Sequence, residues 1–192
     1  MPLGIGSRRR GDKSEAGYPG TDRIEAFSDG VFAVAVTFLV FNLKLPASGE
    51  SAGLGQLLLS QWPAYAGYVV TFVTVGIFWA NHHYMFHYIK RSDHILAMLN
   101  VFFLMGIAFL PFPTALVATY MRRPSEQRTA VLVYVGAFLV CALLFTAVWL
   151  YAAGNRRLID NGLDSAFVRT ITRKYFLAIA AYAFALAAAL LN

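Results

Sequence analysis

Charge is scarce in this chain. Only 14% of its 192 residues are Asp, Glu, Lys or Arg, against about 25% in a soluble globular domain. That scarcity excludes an ordinary water-soluble fold. Cysteine is almost missing as well. Cys141 stands alone, so no intrachain disulfide framework is available, and its apolar surroundings read as those of a small buried or lipid-facing residue. Long repeats, heptads and a soluble second domain are lacking. So are a nucleophile–base constellation and a nucleotide motif, which argues against an enzyme. The SRRRGDK stretch near the start is not followed by a short apolar region with a small-residue cleavage site, so it is not a twin-arginine signal.

What the chain has instead is apolar length. Hydrophobic residues make up 58% of it and the mean hydropathy is +0.57. Several apolar stretches approach or exceed the roughly 20 residues that cross a bilayer as a helix. A transmembrane β-barrel would show short alternating segments. The fold class is therefore an all-α polytopic membrane protein.

Residues 1–22, rich in Gly, Ser, Pro and charge, read as a disordered basic tail, and residues 23–192 as the membrane domain. Five spans are predicted, at roughly 24–45, 57–88, 95–120, 129–153 and 172–191. Pro46 and the ASGESAGLG stretch close the first. The second is too long for one membrane thickness, so it must project from the bilayer or tilt strongly. Pro111 and Pro113 predict a bend in the third.

Lys and Arg set the orientation. With a cytoplasmic N-terminus, the inside holds 12 of them (Arg8, Arg9, Arg10, Lys13, Arg23, Lys90, Arg91, Arg156, Arg157, Arg169, Arg173 and Lys174) and the outside 4, namely Lys44, Arg122, Arg123 and Arg128. This positive-inside bias also accounts for the net charge of +6 without invoking nucleic acid. The expected location is the inner (plasma) membrane, with lipid as one partner.

Three span ends then bring polar groups to one depth: Arg23, Glu25, Ser28 and Asp29 from the first, Trp79, Asn81, His82, His83 and His87 from the second, and Asp93, His94 and Asn100 from the third. Such groups are costly in lipid and face one another. Arg23 and Asp29 point apart on a helix, and Glu25 and Asp29 share a face and repel, so the partners of Asp29 come from the other helices. Trp79, His83, Phe86 and Lys90 share a stripe, as do Asp93 and Asn100. The expectation is a network of Arg23, Asp29, His83 and Asn100 locking the first three helices. The alternative is that Ser28 or Asp29 caps a helix beginning at Gly30.

On the first span Val34, Phe38, Phe41 and Leu45 fall within about 60° of one another, with Thr37 on the shoulder. By pattern this stripe is lipid contact, bundle core or a pore wall.

RIEAFSDGVFAVAVT matches an R-x-x-x-F-S-D-G signature, and the match continues through FWANHHYMF, DHILAMLN and FLPFPT. Over about residues 21–120 the chain resembles the transmembrane protein 175 family, potassium channels of prokaryotic membranes with relatives in animal lysosomes. The resemblance implies homotetramers of six-helix subunits, with the first helix of each lining a central pore and apolar side chains forming the constriction. By position these are Val34, Phe38 and Phe41, with Thr37 as a polar layer. Arg23, Phe27, Ser28 and Asp29 would hold the helix against Trp79, His83, Asp93 and Asn100, and Gly30 would admit a close neighbour. Two departures stand out. Phe occupies two constriction positions where the family tends to carry aliphatic residues, which would close the path or make a dewetting gate. Five spans are found where six are implied.

TVGIF at 74–78 resembles the TVGYG filter of ordinary potassium channels. It sits mid-span with no re-entrant pattern, so it reads as helix packing. His83 and His87 have metal-ligand spacing without an H-E-x-x-H pattern, so no metal is assigned. The expected function is a potassium-permeable, leak-type cation channel that needs no cofactor beyond its permeant ion. The rivals are a proton-coupled carrier using Asp29 and His83 and a non-conducting subunit of a larger assembly.

Overall fold

The computed structural model describes residues 20–46, 53–156 and 158–191. Seven α-helices run through them: α1 Asp22–Phe38, α2 Leu54–Ser60, α3 Trp62–Tyr88, α4 His94–Phe109, α5 Pro111–Tyr120, α6 Pro124–Ala153 and α7 Ser165–Leu191. Nearly all of the tail expected over 1–22 lies outside the described residues. Its last residue, Asp22, is already helical. Arg8, Arg9, Arg10, Lys13 and Arg157, counted toward the orientation, lie outside as well.

Five stretches are long and apolar enough to cross a membrane: Asp22–Asn42, Trp62–Tyr88, His94–Tyr120, Pro124–Ala153 and Ser165–Leu191. A sixth crossing is not found among the described residues. The apolar run predicted over 57–88 is two helices, because Pro63 cannot donate an amide hydrogen and sits where a helix starts. The leading piece, α2, has 7 residues, about 10 Å of helix, and does not span. The last span starts at Ser165 rather than 172. Arg169, Arg173 and Lys174 are helical, and their exposure shows that charge ended the apolar count before it ended the helix.

α4 and α5 together make the bent third span. The break falls at Leu110–Pro111, where Pro111 has no amide hydrogen to continue the ladder. The Asn42 Nδ2 amide at the end of the first span donates to the Pro111 carbonyl at 3.2 Å.

α6 is the central post, packing against α4, α5 and α7, while α1 leans on α3 and α4. Apolar burial drives little association in lipid, so close packing and hydrogen bonds hold the helices. Gly106 on α4 faces Cys141 on α6 so closely that a Cβ there would lie 3.0 Å from Sγ. Cys141 is fully buried, which settles its place in the core. Thr71 Oγ1 lies 2.9 Å from both Thr114 Oγ1 and the Tyr134 hydroxyl, joining α3, α5 and α6.

The end of the bundle where α1 begins (the proximal end) is closed by backbone. Ile89 and Ile159 form an isolated antiparallel bridge. Lys90 N donates to the Leu158 carbonyl at 2.9 Å and Asp160 N to the Tyr88 carbonyl at 3.0 Å. Asp93 caps α4 by accepting from Leu96 N at 2.8 Å and also accepts the Tyr151 hydroxyl at 2.8 Å. Here Asp93 belongs to the α4 cap and the α6 contact, not to a stripe with Asn100.

Candidate pore-lining helix and its anchors

α1 has two faces. Thr21, Ser28, Phe32, Ala35 and, just past its end, Leu39 are buried, following the helical repeat on one side. Arg23, Phe27, Gly30, Val34, Thr37, Phe38 and Phe41 are exposed on the other. Phe41 lies in a short 3₁₀ turn, Leu39–Asn42, that extends α1. Val34 and Phe38 are each 52% exposed and Phe41 74%, so within one chain none of them is core. The Phe38 and Phe41 rings lie 6.0 Å apart between centroids. The Thr37 hydroxyl donates to the Ala33 carbonyl at 2.7 Å. Its hydrogen is thus committed, and its lone pairs stay available beside the aromatic pair.

The buried face carries a directional chain of hydrogen bonds. Ser28 Oγ donates to the Ile24 carbonyl at 2.7 Å, so it can only accept from a neighbour. Asn100 Nδ2 supplies that donor at 2.9 Å. The amide orientation then turns Asn100 Oδ1 toward His82 Nε2, also at 2.9 Å, and assigns the imidazole hydrogen to Nε2. Ser28, Asn100 and His82 are all buried, so α1, α4 and α3 meet there with every donor directed at an acceptor. Around His82 stack Phe86 at 4.4 Å and Phe103 at 5.9 Å, with Phe32 edge-on at 5.6 Å between ring centroids.

The second anchor is superficial. Trp79 Nε1 donates to Asp29 Oδ1 at 2.8 Å, tying α3 to α1. His83 stacks on the Trp79 ring at 6.2 Å and is exposed.

The four residues expected as one network therefore do not meet. Asn100 bonds Ser28, Asp29 bonds Trp79, and the buried histidine is His82, not its neighbour His83. Arg23 is exposed and makes no side-chain hydrogen bond or ion pair among the described residues. Phe27, expected to hold the helix, is 58% exposed and shares the open face. Gly30 has open space where a Cβ would stand, so no helix among the described residues approaches it closely. The capping alternative at Ser28 and Asp29 also fails, since both lie inside a helix that starts at Asp22. A readable signal for His82 was its spacing: Phe78, His82, Met85, Phe86 and Ile89 are buried together, while Trp79, His83 and Lys90 form the exposed stripe. Asn42, another tie missed in the sequence, carries no pattern that would have singled it out. Among the described residues no three His, Cys, Asp or Glu side chains are placed to hold a metal.

Residues 23–111 match the family described as endosomal/lysosomal potassium channel TMEM175. A potassium channel of Streptomyces collinus is 40% identical over 160 residues, covering 83% of this chain and 78% of that one. A potassium channel of Chamaesiphon minutus is 43% identical over 157 residues, covering 81% and 77%. The similarity thus runs well beyond the 21–120 segment that carries the sequence motifs. The crystal structure of a lysosomal potassium-selective channel TMEM175 homolog from Chamaesiphon minutus superimposes with a TM-score of 0.81 at 40% identity, covering 90% of this chain and 87% of the other. A helix anchored on one side and bare on the other, in a bundle with that architecture and that degree of identity, places the chain in a known group: it belongs to the TMEM175 family, in its prokaryotic branch.

Proposed function

We propose that this chain is a potassium-permeable, leak-type channel in which α1 lines the conduction path. The observation that carries the reading is the division of α1. One face is locked to α3 and α4, while Val34, Thr37, Phe38 and Phe41 stand exposed along the other. An exposed row of this kind is filled by lipid, by other copies or by the permeation path. Kinship with proteins named potassium channels favours the path. Copies of the chain then assemble about an axis, as a homotetramer by family resemblance, each presenting the same row. Val34, Phe38 and Phe41 form apolar layers that gate by dewetting. The Thr37 oxygen faces a dehydrating cation with free lone pairs, since its hydrogen is spent on Ala33. Ser28, Asp29, Trp79 and Asn100 serve as anchors rather than ion ligands. Potassium is the cargo, and no cofactor takes part.

The cation distribution supports a cytoplasmic N-terminus in the plasma membrane. Of the Lys and Arg in the described residues, seven lie toward the proximal end and four toward the distal end, the asymmetry that retains a loop inside.

The test is the reversal potential of the purified chain in planar bilayers with potassium on one side and sodium on the other. A shift toward the potassium equilibrium value is expected. A saturable flux coupled to protons would establish a carrier instead. No current from a folded, oligomeric preparation at any voltage would sink the channel reading.

A further inference from the structure

α7 is loosely held. Of its 27 residues Ile171 alone is buried, and its main packing partner is α6. Between α7 and α3, floored by α6, lies a cleft of about 330 Å³, within the size range of small-molecule sites.

Toward the proximal end Thr170, Lys174 and Asn81 line the cleft with Phe167 and Ile171, and deeper it is lined by Ile77, Phe145 and Ala178 with Thr74 and Thr146. Lys174, the one charged residue in that lining, marks a boundary in α7. Arg169, Arg173 and Lys174 lead up to it, and the 17 residues from Tyr175 to Leu191 include no charge. Those residues rise about 26 Å as a helix, most of a hydrocarbon core about 30 Å thick. Lys174 is therefore level with lipid headgroups, and Ile77, Phe145 and Ala178 are level with acyl chains.

Lys174 is exposed and makes no ion pair or side-chain hydrogen bond among the described residues. No Asp or Glu lines the cleft. The Asn81 Nδ2 donates to the Ile77 carbonyl at 2.8 Å, and no hydrogen bond joins Lys174 to the Asn81 Oδ1 among the described residues. An uncompensated cation at the mouth of an apolar cleft, at headgroup depth, complements an anionic head carrying an acyl tail.

We propose that the α3–α6–α7 cleft binds one anionic glycerophospholipid, with its phosphate on Lys174 and an acyl chain against Ile77, Phe145 and Ala178. The site lies away from the exposed face of α1 and does not depend on the conduction reading.

The test uses the 192-residue chain in detergent, with bound lipid counted by native mass spectrometry. Phosphatidylglycerol and phosphatidylcholine with matched acyl chains are the probes. One phosphatidylglycerol per chain is expected to be retained in preference to phosphatidylcholine. Lys174→Gln should weaken retention about fivefold, the loss expected for one cation near a membrane surface, whereas Lys44→Gln should not. Ala178→Phe keeps the ammonium and fills the apolar end, so it should also weaken retention. Ile77→Trp narrows the opposite wall and reads the same way should the first variant not fold. Equal retention of the two lipids, or no loss with Lys174→Gln, overturns the proposal. Competition by glycerophosphate at equal concentration overturns it in favour of a tailless anion site. A disulfide between copies carrying Ala178→Cys in a Cys141→Ala background overturns it in favour of a neighbouring chain.

Discussion

Asn100 on α4 donates to Ser28 Oγ on α1 at 2.9 Å, and does so with its other amide atom engaged by His82 of α3. One side chain thus terminates two helices' polar demands at a depth where water cannot. Asn100→Leu strands both partners. It is expected to cost about 1–3 kcal/mol, the penalty for an unsatisfied buried group, and to lower the melting temperature of the detergent-solubilised protein. Ser28→Ala removes only the acceptor and should cost less. An unchanged melting temperature in Asn100→Leu would show that the chain of bonds does not hold α1.

Asp29 and His83 test the carrier alternative. Asp29 accepts from Trp79 at the surface, and the amide oxygen of an asparagine can accept the same bond. Asp29→Asn should leave the potassium current and its reversal potential unchanged, as should His83→Gln. Loss of flux in either variant, with the protein folded, would mean that a proton relay carries transport.

Val34 and Phe38 are half-exposed in the protomer, so changing them spares the fold and reports on the path. Phe38→Ala removes a ring from each copy and should raise single-channel current severalfold by widening and wetting the constriction. Val34→Trp should abolish it. Thr37→Val, which removes the hydroxyl oxygen but little volume, should reduce discrimination between potassium and sodium. Single-channel recording checks all three, and equal currents across the set would place the path elsewhere.

Among the described glycines, Gly106 is the one whose added Cβ would meet the tightest neighbour. Gly106→Ala sets a methyl 3.0 Å from the Cys141 sulfur and should destabilise the bundle by about 1–3 kcal/mol, the range for overpacking. Adding Cys141→Ala shrinks the neighbour and should recover most of the loss. The cycle is read from thermal melts of the four proteins, and additive losses would deny that the two positions interact.

The helical membrane fold was plain in the sequence because its signal is composition over long windows. Runs such as VFAVAVTFLVF and LMGIAFLPF admit few other readings. Boundaries were less legible. The split before Trp62 rests on one proline, and the early start of α7 is hidden by the charges at Arg169, Arg173 and Lys174. The site was half legible. Ser28, Asp29, Trp79 and Asn100 were singled out because each is polar where lipid forbids it. Which of them pair depends on helix rotation. A choice between His82 and His83 is a choice of about 100°, and stripe-reading anchored on Trp79 selected the wrong side.

α1 is fastened unevenly. Near its start, two interhelical hydrogen bonds reach it, Trp79 to Asp29 and Asn100 to Ser28, and a third, from Ser92 Oγ to the Gly20 carbonyl, ties the segment just before it to the α3–α4 loop. At the far end of the span a single side-chain bond, Asn42 to Pro111, ties it to a proline break. Between Gly30 and Phe41 its contact with the bundle is through apolar groups such as Phe32, Ala35 and Leu39, which have no bonding register to break. That stretch behaves like a greased shaft between a fixed bearing and a light latch. A small twist there swings Val34, Thr37 and Phe38 together without breaking a hydrogen bond to a neighbouring helix, and in the proposed channel that twist would alter the aperture.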